Sequence, residues 1–349
     1  MAADQLTNTN AEASSSKHSI YEGSTQYRHW RFSQEELARK RSSLNAAAVS
    51  VVRDAFEADE PGSSSDVSFL NADEECLLVK LYVGKISQIC GLFRFPEEVE
   101  ATAMSYVKRF YLKNTVMDWH PKNVMLTALF LATKTTNNPI PVESYTSRIP
   151  KTKPEDVLEL EFLVAQSLGF DFAVWHAHRA LWGQYLDVQT VPGVTRDEAR
   201  RAHQAALVHV RASRFTDAEF IFAPSQIAFA CMSLAAPQVA ASWARLRFPQ
   251  TADTLLSTTE PIKEMVLAQG SSPDVEAVRN VDRRLKLCKN PEKVVGSRAY
   301  VKKQEEAERR AEEKRRRKAA KVRKAMEEGD PFGSELAGNG GIEDDDDDD

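Results

Sequence analysis

The chain has 349 residues, 42% hydrophobic and 28% charged, with a formal net charge of -5 and a mean hydropathy of -0.44. This is globular composition for two ordinary domains or one large one. No run approaches the ~18–20 consecutive apolar residues of a bilayer span, so a membrane protein is excluded at this level.

Four widely spaced cysteines, Cys76, Cys90, Cys231 and Cys288, form no CxxC pair. They read as small core residues in a reducing compartment. The opening MAADQLTNTNAEASSS has no basic start followed by an apolar block, so secretion is not expected. Residues 1–26 carry few apolar anchors and are expected to be a disordered tail.

Residues 27–66 are expected to hold an N-terminal helix and a linker. Ser33 and Glu36 have the spacing of a capping box, which predicts a helix from about Gln34 to Ala48. EADEPGSSSD at 57–66 reads as the linker. A first domain is expected over 67–173. Asn71 is placed to cap a helix reaching Phe93, with Leu77, Leu78, Leu81, Tyr82, Ile86, Ile89 and Cys90 at three- and four-residue steps. Pro96 with Glu97 and Glu98 suits the positive start of a second helix, ending near Leu112. Pro121 opens a third, VMLTALFLAT, apolar nearly all round and therefore enclosed by neighbours. After the Asn137–Pro141 break come a short helix near Val142–Ile149 and another over Glu155–Leu168, ended by Gly169.

The second domain, expected over 174–270, repeats the first. HPKNVMLTALFLATK from His120 aligns with APSQIAFACMSLAAP from Ala223 at a constant offset of 103 residues, proline on proline. An amphipathic helix precedes each. The period is far longer than that of solenoid repeats, so the pattern is a duplicated helical domain. A packed helix is expected within 271–300. A charged helix is expected at 301–328, where residues 302–324 hold 12 Lys or Arg and 5 Glu, a local charge of +7. The tail 329–349 ends in six aspartates and is expected to be disordered.

Chemistry is scarce. None of the seven histidines has a zinc-like partner. His176 and His178, two residues apart, are expected on different sides of a helix as polar or surface side chains. Phosphate-loop, dinucleotide and nucleophile-elbow motifs are missing, so neither a metal, a cofactor nor catalysis is expected. Two charges stand out among apolar residues, Lys134 at the end of the third helix and Glu161 within LELEFLVAQSL. Each points to solvent, or the two meet between adjacent helices as a polar clamp with donors on one side and acceptors on the other. Periodicity alone does not choose.

The stretches TQYRHWRFS, YVKRFYLKNTVMDWHPKNVMLTALFLATK, LELEFLVAQSLGFDF and FIFAPSQIAFA resemble the cyclin family, and in their detail its cyclin H branch. The resemblance covers most of residues 25–235. It implies an all-α fold of tandem cyclin boxes, two five-helix repeats with flanking helices. It also implies a regulatory role, binding a cyclin-dependent kinase catalytic subunit and pressing its mobile helix inward. By motif position Lys134 and Glu161 would hydrogen-bond the kinase backbone, while Leu131, Phe170 and Phe172 would make apolar contacts. The branch implies a RING-finger assembly factor and other TFIIH subunits as partners. It implies a nuclear location, and kinase activation segments and the RNA polymerase II C-terminal repeats as substrates. TTNN after Lys134 departs from the pattern, and the substrate-recruitment patch of cell-cycle cyclins is absent from the first helix.

Two rivals share the fold. A nucleic-acid-binding core like that of transcription factor IIB should be clearly basic, whereas residues 1–300 carry a net charge of only -1. Nucleic acid is therefore expected at most weakly, through the basic C-terminal helix. A helical scaffold without a kinase would ignore changes at Lys134 and Glu161.

Overall fold

The computed structural model describes residues 19–327. The acidic tail from 329 and the tail up to residue 18 lie outside the described residues. The helices, in chain order, are α1 (Thr25–His29), α2 (Gln34–Asp59), α3 (Ala72–Phe93), α4 (Glu97–Phe110), α5 (Pro121–Thr135), α6 (Val142–Thr146), α7 (Pro154–Leu158) and α8 (Glu161–Ser167). There follow α9 (Ala177–Val188), α10 (Arg196–Ser213), α11 (Ala218–Ile221), α12 (Pro224–Ala235), α13 (Pro237–Arg247), α14 (Ala252–Ser257), α15 (Glu260–Gln269), α16 (Val275–Leu287) and α17 (Arg298–Glu327). No strand occurs among the described residues. One compact unit takes the chain up to 51 and 67–288, and a second takes 52–66 and the chain from 289.

Local signals in the sequence account for most helix starts. Ser33 and Glu36 exchange main-chain bonds of 3.1 and 2.8 Å at the head of α2, and Asn71 and Glu74 do the same for α3. Pro121 and Pro224 each occupy the first turn of their helix, where the missing N–H costs nothing. In the first box α4 and α5 form the central pair, and α5 is buried on all sides from Val124 to Thr133. In the second, α10 and α12 form the same pair, closing on Ala206, Val210, Ala228 and Cys231. The duplication expected from the 103-residue offset is present.

Several expectations change. Residues 19–26, expected to be disordered, form a turn and open α1, whose start is capped by Ser24. Helix α2 continues to Asp59 rather than stopping at Ala48. The helix expected over Glu155–Leu168 is two, α7 and α8, parted at Glu159–Leu160. Helix α3 does have the length and hydropathy of a membrane-crossing helix. It is a core helix instead, with Leu78, Val79, Val83, Ile86 and Cys90 buried and α4, α5 and α16 packed on it. It also carries Glu75, buried and held by Asn45 at 2.6 Å, Thr115 at 2.9 Å and the Val116 N–H at 2.8 Å. Burial pushes the Glu75 carboxyl upward despite these donors.

Candidate functional site

Lys134 closes the last turn of α5 and Glu161 opens the first turn of α8. The parting of α7 from α8 gives Glu161 that place, beside the unpaired N–H groups of a helix start, which favour a carboxylate. The two side chains meet, Nζ to Oε1 at 2.5 Å, with 42% of the lysine and 22% of the glutamate side chain exposed. The Phe130 ring lies 4.4 Å from the ammonium and supports it from below. One of the three ammonium donors is used in this bond, and one carboxylate oxygen. Further donors and acceptors thus stand side by side at the surface, matching the N–H and C=O groups of a backbone.

Beside the pair runs an aromatic series. Phe162 and Phe170 pack edge to face at 6.2 Å, Phe170 and Phe172 at 6.2 Å, and Phe172 tilts over Tyr106 at 6.2 Å. Phe162 is 69% exposed and Phe170 54%, with Leu158 nearby in sequence also exposed. Phe172 is half-buried, and Leu131 is buried to 6%, so it offers a partner only an edge. Tyr106 anchors the series from inside. Its hydroxyl donates to the Phe172 carbonyl at 2.7 Å and meets Thr135 at 3.0 Å, and burial pushes its pKa up to about 12.

The turn that presents Phe170 is strained. Gly169 N–H donates to Gln166 O at 2.8 Å and Phe170 N–H to Ala165 O at 3.0 Å, the two bonds of a Schellman ending. Gly169 and Phe170 both lie in the left-handed region, at φ 63° and 58°. Glycine adopts that region freely, whereas a phenylalanine there costs about 1–2 kcal/mol. The TTNN departure has a structural use, since Asn137 at φ 58° and the Asn138 N–H bonded to Thr133 O at 2.8 Å end α5 in the same way.

The motifs KR and TQYRHWRFS act behind this surface. Arg109, 1% exposed, donates to the Asp171 carbonyl and lies 5.0 Å from the Trp30 ring. Lys108 pairs with partly buried Glu219 at 2.6 Å and donates to Thr216 O at 2.6 Å in the second box. The segment around α1 straps the connection between boxes. The Gln26 amide accepts from Trp175 N–H at 2.7 Å and donates to its carbonyl at 3.4 Å. His29 meets Asp171 at 2.7 Å, Arg31 donates to Ile221 O at 2.7 Å, and Phe32 N–H to Phe220 O at 2.8 Å. Arg41 grips Asp217 with two bonds.

The reading of His176 and His178 as polar or surface residues on opposite faces is corrected. His176 stands just before α9 in extended conformation, so helical spacing does not apply. The rings stack at 5.1 Å, and His176 is buried with Thr102 at 2.9 Å. Sequence reasoning also missed Phe162, whose one signal is its place next to Glu161.

Two helical repeats, with a polar pair and exposed aromatics at the end of the first, define a duplicated all-helical protein, and comparison supplies the family. Residues 79–173 match the model for "Cyclin, N-terminal domain" and residues 176–268 the model for "Cyclin C-terminal domain". The chain belongs to the cyclin family. Cyclin mcs2 of Schizosaccharomyces pombe is 30% identical over 294 residues, 82% of this chain and 90% of that protein. A putative cyclin-H of Dictyostelium discoideum is 33% identical over 61% of this chain and 75% of its own. Among solved structures, a chain of the CAK complex from Chaetomium thermophilum bound to ATP-gamma-S matches with a TM-score of 0.74 at 28% identity, covering 83% of this chain and 94% of that one. A chain of the yeast TFIIK (Kin28/Ccl1/Tfb3) complex matches at 0.60 and 28%, covering 70% and 100%.

Proposed function

We propose that this cyclin is the regulatory subunit of a CDK-activating kinase, seated on its kinase through Lys134, Glu161, Phe162, Phe170 and Phe172, with Leu131 at the edge. The observation that carries the site is the Lys134–Glu161 pair, held at 2.5 Å beside two exposed phenylalanines. An isolated pair of this kind adds little stability, so its worth lies in what else it bonds. The ammonium donates to carbonyls of the kinase chain and the carboxylate accepts from its N–H groups, while Phe162 and Phe170 cover the apolar face of its mobile helix. Pressing that helix inward assembles the kinase's own ion pair and orders its activation segment. This chain supplies no reacting group; phosphoryl transfer is the kinase's.

The likeness to CAK and TFIIK chains supports a kinase partner, other TFIIH subunits and, with them, a nuclear setting; a RING-finger assembly subunit belongs to the proposal through the cyclin H resemblance alone. The same resemblance extends the proposal to kinase activation segments and the polymerase C-terminal repeats as substrates. The transcription factor IIB-like reading is not favoured, since residues 1–300 are nearly neutral.

The test is co-purification with the kinase subunit and phosphate transfer to an activation-segment substrate, comparing wild type with Lys134→Ala, Glu161→Ala. The double variant should lose at least ~100-fold in affinity, as for desolvated anchors, while its melting temperature stays put. Unchanged binding would remove the clamp; a wild type that neither binds nor stimulates would remove the kinase reading.

A further inference from the structure

A half-enclosed cavity of about 240 Å³ lies where α2, α3 and the end of α4 meet the turn 214–217 of the second box. That is just below the range of pockets for drug-sized ligands, so it suits a smaller molecule. Leu44, Leu77, Val79, Val83, Tyr111 and Phe215 give it apolar walls. Four cations also reach its lining, Arg41, Lys80, Lys108 and Arg214. A charge drawn out of water needs a matching partner, and the matching is incomplete at one of the four.

Arg41 uses both terminal nitrogens on Asp217, at 2.6 and 2.7 Å. Lys108 uses all three ammonium donors, on Glu219 at 2.6 Å, Thr216 O at 2.6 Å and Arg214 O at 3.2 Å. Arg214 pairs with Glu97 at 2.6 Å. Lys80 differs, for among the described residues it bonds a neutral acceptor, Gln269 O at 2.5 Å, and two of its donors remain. The acids of the lining are engaged elsewhere. Asn45, Thr115 and the Val116 N–H hold both oxygens of Glu75, and Asp73 is exposed in the first turn of α3, where the helix dipole favours it. Three cations converge on Asp217. Burial raises its carboxyl, but Arg41, then Lys108 and Lys80, hold it below its ordinary range. Burial lowers the Lys80 ammonium, and the Asp217 charge does not make up the loss against burial and Lys108 together. The cavity thus combines apolar walls with one ammonium short of an anion.

We propose that this cavity is a binding site for a small amphipathic anion, a carboxylate or sulfonate on an apolar chain or ring, with the acid group on Lys80 and the apolar part against Leu77, Val83 and Phe215. The walls come from α2, the first box and the second box, so a bound molecule ties the three together. None of the kinase-facing residues lines the cavity, so the site stands apart from the proposed kinase contact.

Cys76 reports occupancy, since it lines the cavity and is the one cysteine of the four that is not buried. Burial pushes its thiol up to about 11, so N-ethylmaleimide in mild alkali should alkylate it slowly. On the full chain, octanoate should slow alkylation of Cys76, read by peptide mass, at least ~five-fold, with half-protection below ~1 mM. The neutral counterpart 1-octanol should need at least ~ten-fold more, for want of a charge-assisted bond. Lys80→Gln keeps a donor for the Gln269 carbonyl and loses the charge. It should melt as wild type does and raise the half-protecting concentration of octanoate at least ~ten-fold. The octanol comparison is made on wild type, so it decides even where the variant folds less well. Four results would each overturn the proposal. A Cys76 that the reagent never reaches would mean a closed cavity, and no protection up to ~10 mM octanoate would mean no site. Octanol protecting as well as octanoate would mean an apolar cavity without anion recognition. Protection unchanged in a normally melting Lys80→Gln would take the anion off Lys80.

Discussion

Phe170 combines a backbone conformation that disfavours it with a side chain turned outward. Asparagine tolerates the left-handed region far better, so Phe170→Asn relieves strain while forfeiting edge-to-face contacts of similar worth. The free chain should then melt within ~2 °C of wild type, while kinase affinity falls at least ten-fold. Parallel losses in melting temperature and affinity would show that the ring serves the fold alone.

The stacked histidines give the protein an acid sensitivity. Burial holds the His176 imidazole well below its ordinary range, with His178 and Arg214 adding to the effect. Burial and then Arg214 push His178 down to about 4. Below pH ~6.5 the unfolded chain takes up protons that these folded imidazoles refuse, so stability is full above that pH and declines towards pH 4. The slope is at most ~1.4 kcal/mol per pH unit for each imidazole, and less for His178, which water partly reaches. Urea midpoints between pH 6.5 and 5 should therefore drop, and His178→Gln should flatten the drop. The carboxyl of Glu97 stays out of this window. Burial raises it, but the Arg211 hydrogen bond and the Arg214 charge win and hold it at about 2, so its contribution starts to fall as pH drops through the ordinary carboxylate value and is gone below about 2.

At the scale of elements, close approach is the vulnerable feature. Gly270 ends α15, and a Cβ there would stand 2.3 Å from Val266 O and 2.9 Å from the Ala212 Cβ on α10. Gly270→Ala should cost about 1–3 kcal/mol as an overpacking change, read as a lower melting temperature. An unshifted melt would mean that α15 and α10 sit farther apart.

Helix starts were legible because caps and prolines are local, and the duplication was legible because α5 and α12 are both enclosed by neighbours. The break between α7 and α8 was not. LELEFLVAQSL contains neither glycine nor proline, and every residue in it tolerates a helix. Lys134 and Glu161 could be singled out as charges among apolar residues, but their meeting depends on how α5 packs on α8. Phe162 escaped because an aromatic between Glu161 and Leu163 fits an apolar stripe as well as an open face. His176 escaped because its burial depends on Thr102, 74 residues away.

At the scale of the first unit, the strap joins distant parts of the chain. Gln26 satisfies both main-chain groups of Trp175, and Lys108 and Arg109 brace the second box and the connection from below. Gln26→Ala should cost about 1–3 kcal/mol, since it strands polar partners. In calorimetry the unit should melt as one transition, and in that variant the transition should broaden or divide as the boxes lose their common tie. A single, equally sharp transition at the same temperature would deny the strap this role.

Synthesis imposes an order on that arrangement. Arg31 leaves the ribosome 190 residues before Ile221, whose carbonyl it holds. At about 5–20 residues per second the interval is roughly 10–40 s. Trp30 and His29 can dock earlier, on Arg109 and Asp171, but Arg31 and Phe32 wait for Ile221 and Phe220 throughout, and the nascent chain displays this half-docked leader to any chaperone that can hold it. The second box, once made, takes that leader out of circulation.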